Sequence, residues 1–311
     1  MGLYGRVPVN DNYNIEIKSD FNMMSRKDSL LPSFNRLFLR IKPYVNFTQD
    51  NLEINFGLST VLEDDTLGGS KDFHIFPYLD INYDVSTNAR VYAGYRGDMD
   101  KMSLKDNLKN NRWLAPNANV FNRIRNFDFY AGLKGTLANN LSFDAGAELT
   151  YYKNQGYYVN SSVDTTKFDI IYDTGTGNSN HLYASLGYNI KNKILLGIQE
   201  HHYFYNTENT AEAWHLPTNK LTLISSINVG QKLKFNADLY MISGMIARNP
   251  TTGAAISLES IIDIDLGLEY LLSRQASIFV NTYNILGKEY VRYLNYPNRG
   301  LQVIAGLSYS F

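Results

Sequence analysis

Apolar and polar residues alternate one by one along nearly the whole chain, and a period of two commits a polypeptide to extended strands with two unlike faces. At the C-terminus Val303, Ala305, Leu307, Tyr309 and Phe311 alternate with Gln302, Gly306, Ser308 and Ser310; Ile304 is the exception on the polar side. Ile262, Ile264, Leu266, Leu268 and Tyr270 likewise oppose Asp263, Asp265, Gly267 and Glu269. The pattern recurs at Leu52–Ser59, Phe127–Lys134, Leu141–Leu149, Leu182–Asn189 and Leu233–Leu239. No stretch of comparable quality carries a helical period. One such strand would also suit a soluble sandwich, so the connections have to decide the architecture.

Short turns fall near 49–50, 85–88, 139–140, 191–193, 230–231 and 272–274, each carrying Asn, Asp, Gly or Ser. Longer polar segments lie between them, at roughly 27–33, 64–70, 103–124, 155–179, 208–218, 248–257 and 286–299. Short and long connections alternate, which is how an outer-membrane barrel is laced: tight periplasmic turns and long extracellular loops. The expected fold is all-β, a transmembrane antiparallel up-and-down β-barrel of about 14 strands. Residues 12–311 form the barrel, and residues 1–11 are a periplasmic N-terminal segment. An even count would leave both ends on the periplasmic side. Residues 166–173 could add a strand inside an outer loop.

Composition agrees with this and excludes much else. The 311 residues hold 29 Lys plus Arg against 30 Asp plus Glu, a net charge of −1, so nucleic acid is not an expected partner. Cysteine is absent, which removes disulfides and thiol chemistry. No apolar run approaches the roughly 18 residues of a membrane helix, but alternation hides a barrel's apolar surface from any such search. The chain is rich in Tyr (24) and Phe (16). Phe47, Tyr83, Phe143, Tyr188, Phe235, Tyr270 and Tyr309 sit on the apolar faces near short turns or the C-terminus, where a headgroup-level aromatic girdle belongs. The start, Met1-Gly2-Leu3-Tyr4-Gly5-Arg6, has no signal-peptide pattern. The body of the sequence favours a mature chain, or the C-terminal part of a longer one.

The last 30 residues resemble the end of TonB-dependent receptors. The matching stretches are Asn284-Ile285-Leu286-Gly287-Lys288-Glu289-Tyr290, then Tyr296-Pro297-Asn298-Arg299-Gly300, then a final strand closing on Phe311. Ile285 and Gly287 depart from the commoner residues of that family. The resemblance implies an outer-membrane location, outer-membrane lipids as partners, and a terminal signal at Leu307, Tyr309 and Phe311 read by the barrel-assembly machinery. The Asn- and Tyr-rich style also resembles proteins of the Bacteroidota. Strands begin near residue 12 with no plug domain or TonB box before them, so the expectation is a plug-less barrel or the C-terminal barrel portion of a receptor.

Neither catalysis nor a cofactor is expected. The histidines are His74, His181, His201, His202 and His215. His201 and His202 are adjacent on a strand and so face opposite ways. His74 and His181 face inward on distant strands. No lipase-type or protease-type motif is present. Expected lumen-lining residues are Arg36, Arg40, Lys42, Asp80, Arg90, Arg96, Asp128, Lys134, Asp144, Glu148, Asp263, Asp265 and Glu269. They could select a polar solute or pair with one another into a rigid wall. Trp113, Leu114, Phe121 and Trp214 lie in the long loops and are candidates for binding another outer-membrane protein or a surface lipoprotein. The leading expectation is a transport or channel barrel for a polar solute. The alternative is a closed barrel serving as an assembly subunit.

Overall fold

The computed structural model describes residues 2–27, 34–64, 73–191 and 193–311. The expected outer loops at 27–33 and 64–70 fall largely outside them. Fifteen strands follow one another in a continuous antiparallel ladder: β1 (Gly2–Pro8), β2 (Tyr13–Arg26), β3 (Phe34–Gln49), β4 (Leu52–Glu63), β5 (Phe73–Ser86), β6 (Ala89–Arg96), β7 (Arg123–Ala138), β8 (Leu141–Lys153), β9 (Gly177–Ile190), β10 (Ile194–Asn206), β11 (Asn219–Val229), β12 (Leu233–Ser243), β13 (Ile261–Leu271), β14 (Ala276–Tyr283) and β15 (Gln302–Tyr309). The short strand Asp98–Asp100 adds to β7 and makes the sheet 16-stranded. Each ladder strand pairs with its sequence neighbours, so the topology is up-and-down throughout. β1 and β15 are the sheet's two edges, and no ladder joins them among the described residues.

The expected count of about 14 is corrected by β1, which occupies the segment assigned to the periplasm. Tyr4 Oη donates to Glu16 Oε2 at 2.9 Å, and Arg6 Nε lies 3.7 Å from Glu16 Oε1, while Leu3 and Val7 point the other way and stay exposed. Gly2, Gly5 and Pro8 dilute this alternation in the sequence. With fifteen strands the ladder starts on the long-loop side and ends on the short-turn side. The tight turns include two residues of positive φ: Asp50 at 50° between β3 and β4, and Gly230 at 64° between β11 and β12. Glycine reaches that region without steric cost, and aspartate tolerates it better than most residues.

The register puts all the expected lumen-lining residues on one face, called the inner face here. One row of partners runs Asp144, Ser185, Gln199, Thr222, Tyr240, Asp263 across six strands. The opposite face is greasy and bare: Leu133, Leu186, Val280 and Leu307 are exposed there. Among the described residues the wall is a single layer with no second layer against its apolar face.

The buried core lies instead on the inner side and in the loops. Phe38, Val61, Phe76 and Met99 form one cluster where residues 97–102 fold inward, and Tyr157, Val159 and Trp214 form another among the loops. The long loops carry structure of their own. A helix α1 (Leu104–Asn110) is capped by Ser103, whose Oγ accepts from the Asp106 amide at 3.1 Å. Gln155–Asn160 pairs with Phe168–Asp173, so the strand foreseen inside an outer loop at 166–173 is present there as one arm of a loop hairpin. Ile246–Arg248 pairs with Ala255–Ser257, and Val291–Tyr293 with Tyr296–Pro297.

These loops converge. Tyr293 Oη, between β14 and β15, donates to Asn110 O, between β6 and β7, at 3.0 Å. The ring of Trp113 stacks on Tyr296 with centroids 3.9 Å apart. In a flat sheet β7 and β14 would stand about 34 Å apart at the usual strand spacing of roughly 4.8 Å. The contacts fit a wall that curves around its inner face, with the loops forming a cap over one end.

Candidate functional site: the charged inner wall and its cap

The inner face carries a polar network in which Arg40, Arg90, Arg96, Asp128 and Glu148 are ion-paired. Arg96 donates from Nε to Asp128 and from Nη2 to Glu148, both at 2.8 Å, and its guanidinium carbon lies 4.5 Å from the Tyr130 ring centroid. Asp128 is fully buried and also accepts from Arg125 Nη1 at 2.8 Å. Asp100, in the short strand before α1, receives Arg123 and Arg125. Arg90 pairs with Asp84 at 2.5 Å, and Arg40 Nε lies 3.0 Å from Asp98 Oδ1. Buried Arg36 donates to the Val120 carbonyl at 2.6 Å. Lys42 and Lys134 lie over the rings of Tyr78 and Tyr92, at 3.6 and 5.2 Å.

The carboxylates without a cation are held by tyrosines and neutral donors. Asp80 accepts from Tyr130 Oη and from Asn82 at 2.7 Å. Asp144 accepts from Tyr92 Oη at 2.6 Å, and Tyr92 in turn meets Tyr183 Oη at 2.7 Å. On the C-terminal strands Asp263 accepts from Tyr290 Oη at 2.5 Å, Asp265 from the Asn284 amide at 3.0 Å, and Glu269 from Ser277 Oγ at 2.6 Å. The tyrosine row depends on its glycine partners. Gly132 stands opposite Tyr92, and a Cβ there would lie 2.3 Å from the Tyr92 oxygen. The ring lies flat only because that space is empty.

Glu148 extends the network across β9 to β10. Its Oε2 is 3.3 Å from His181 Nδ1, and His181 Nε2 is 3.0 Å from His201 Nδ1. The sequence placed His181 on a strand remote from His74 and separated His201 from His202, but it did not bring His181 and His201 together. That juxtaposition depends on the β9–β10 register.

The cap packs the loop aromatics against one another. Trp214 and Leu114 are buried, at 3% and 6% exposure. Trp113 is spent on Tyr296, and Phe121 packs edge-on against Tyr172 with centroids 5.1 Å apart. The buried position beside Trp214 is His215. It has φ 58°, its Nδ1–H donates to the Tyr158 carbonyl at 2.8 Å, and its Nε2 accepts from the Leu294 amide at 3.4 Å. Burial, with the Arg292 cation nearby, pulls its pKa down to about 4 despite the Tyr158 bond. Burial pushes the Tyr157 hydroxyl up and Tyr158 up to about 12. Tyr290 also rises to about 12, from burial first and then its bond to Asp263.

Beneath the cap lies a cavity of about 470 Å³, lined among others by Lys109, Arg123, Tyr157, Tyr172, Trp214 and Arg292. Arg123 is neutralised by Asp100 and also bonds Gln155. Among the described residues neither Lys109 nor Arg292 has a carboxylate partner. The lining therefore combines aromatic surface with two cations that lack a carboxylate partner among the described residues, Lys109 and Arg292, the latter donating from Nη1 to Met245 Sδ at 2.9 Å. No cluster of three or more His, Cys, Asp or Glu suited to a metal occurs among the described residues. At the far end of the wall Leu307 and Tyr309 point outward on β15, and Phe311 is fully exposed beyond it.

No family model matches this chain, and no curated protein matches it. Solved structures do. The siderophore receptor PirA from Acinetobacter baumannii is 12% identical with a TM-score of 0.74, over 100% of this chain and 54% of that one. The FrpB iron transporter from Neisseria meningitidis is 7% identical with a TM-score of 0.73, over 99% and 54%. The pyoverdine outer membrane receptor FpvA from Pseudomonas aeruginosa PAO1 is 13% identical with a TM-score of 0.70, over 100% and 52%. The chain spans about half the length of these receptors. At such identities the likeness is one of fold.

Proposed function

We propose that this chain forms wall and outer mouth of a bacterial outer-membrane barrel that takes up a polar, anionic solute, of the kind represented by a ferric chelate. The observation that carries the reading is the capped cavity, where Lys109 and Arg292 stand unneutralised beside Tyr157, Tyr172 and Trp214. An anionic chelate with aromatic groups would satisfy both the charge and the ring surface. The Acinetobacter protein of similar fold is named as a siderophore receptor, the Neisseria one as an iron transporter and the Pseudomonas one as a pyoverdine outer membrane receptor, which supports that solute class.

Surface chemistry supports outer-membrane placement. Leu133, Leu186, Leu268, Val280 and Leu307 are each more than a third exposed, on a face that runs across the sheet. Lipid is the solvent that accepts such a face. The barrel-assembly machinery would read the exposed Leu307, Tyr309 and Phe311.

The test is equilibrium binding to the detergent-solubilised, folded chain, with a ferric tris-catecholate as the anionic probe and a neutral ferric trihydroxamate as control. Saturable binding of the anionic probe is expected, weakened at least tenfold by the double change Lys109→Ala and Arg292→Ala. Equal affinity for the neutral chelate, or no effect of the double change, overturns the reading.

A further inference from the structure

The Glu148–His181–His201 constellation goes beyond solute uptake and stands apart from the capped cavity. In the β9–β10 register His181 faces Tyr203 and His201 faces Tyr183, so the two imidazoles are diagonal neighbours on the inner face. Their Nε2 and Nδ1 atoms are 3.0 Å apart, with ring centroids at 5.2 Å and planes within 20°. Behind them, Glu148 accepts at His181 Nδ1, 3.3 Å away. Glu148 is itself held by Arg96 at 2.8 Å, and Arg96 by Asp128 at 2.8 Å. The Tyr203 ring stacks on His181 with centroids 4.3 Å apart and planes within 5°.

This arrangement fixes a tautomer. A carboxylate only accepts, so Glu148 places the His181 proton on Nδ1 and leaves the Nε2 lone pair directed at His201. Two imidazole nitrogens at this separation share either one proton or one cation. A carboxylate behind the ring nitrogen remote from a metal is the usual support of a metal-bound histidine, and it raises the basicity of the coordinating nitrogen. With metal–nitrogen bonds of about 2.05 Å, nitrogens 3.0 Å apart subtend about 94° at the metal. That is a cis angle of tetragonal or octahedral geometry, narrower than the tetrahedral one.

The geometry points to a divalent transition-metal site on the inner wall, with His181 Nε2 and His201 Nδ1 as ligands, suited to Ni²⁺ or Cu²⁺. Since only two side chains coordinate, water or a solute's own donor atoms fill the remaining positions. The opposing charge is Lys220, which stands opposite His201 in the β10–β11 register with its Nζ 5.2 Å from the Tyr203 ring centroid.

The test is calorimetric titration of Ni²⁺ into untagged, folded chain in detergent, which needs no transport solute and so succeeds or fails independently of the uptake reading. One Ni²⁺ per chain is expected. His181→Gln and His201→Gln should each weaken it at least thirtyfold, Glu148→Gln about tenfold, and His202→Ala not at all. Lys220→Met should tighten it severalfold. Because the variants could fail to fold, Ni²⁺ protection of the unmodified chain against diethyl pyrocarbonate gives a second reading by peptide mass. His181 and His201 should be protected while His202 is not. No stoichiometric binding, binding indifferent to both glutamine changes, or equal protection of His202 overturns the proposal.

Discussion

Acidification should open the cap, and His215 sets where. Its imidazole is 2% exposed, donates from Nδ1 to the Tyr158 carbonyl, and accepts at Nε2 from the Leu294 amide. A second proton on Nε2 would face an N–H donor. Phe168 and Tyr293 pack against the ring, and the nearby charge is the Arg292 cation. The neutral ring is therefore strongly preferred while the cap is closed. With the cap open the group titrates near its ordinary value of about 6.5; closed, it titrates near 4. The contribution is fully present above about pH 6.5, declines as pH falls through that window, and is exhausted below about 4. The gap of about 2.5 pH units is worth about 3 kcal/mol, or about three-hundredfold in the ratio of closed to open. The assay is built in. Both tryptophans of the chain, Trp113 and Trp214, lie in the cap, so intrinsic emission and acrylamide quenching report on it alone. Emission should move to the red and quenching should rise between pH 6.5 and 4. His215→Asn tolerates the positive φ and can keep a donor for Tyr158, but cannot titrate, so it should flatten the transition. Unchanged quenching from pH 7 to 3.5, or the same transition in the variant, refutes the argument.

Other consequences can be checked as directly. Asp128→Ala leaves Arg96 and Arg125 without their shared carboxylate and should cost about 2–3 kcal/mol in urea unfolding, somewhat below a fully buried pair because Arg96 is partly solvated. Gly132→Val places a side chain where the Tyr92 ring lies, so it should destabilise the fold and break the Tyr92–Asp144 bond, visible as a shift in tyrosine absorbance. Because the chain has no cysteine, single cysteines can map its faces. Leu186→Cys should resist a hydrophilic maleimide in liposomes and Ser185→Cys should react if the inner face is wet, whereas the reverse result would invert the assignment of faces. Leu186→Arg should cost about 2–4 kcal/mol if that position lies near the bilayer midplane. Deleting Phe311 should slow assembly in cells while leaving refolding in detergent intact.

Local order along the chain determined much of this. An alternation of period two dictates which side chains share a face whatever the strand pairs with, so Arg96, Asp128, Glu148 and Asp263 could be assigned to one side from their neighbours alone. Turn residues likewise announced the short connections and, with them, the up-and-down lacing. Gly2, Gly5 and Pro8 obscured β1, because a glycine carries no face; its strand identity comes from Glu16 on β2, which collects Tyr4 and Arg6. The loops disclosed their length, their aromatic residues and the strand near 166–173, but not their packing, since the contacts among Trp113, Phe168, Trp214 and Tyr293 depend on which strand ends the curved wall brings together. Register belongs to the tertiary structure for the same reason. Sequence fixes a residue's face, but only the pairing of β9 with β10 slides His181 into reach of His201, because one step of slippage would turn one of the two rings to the opposite face.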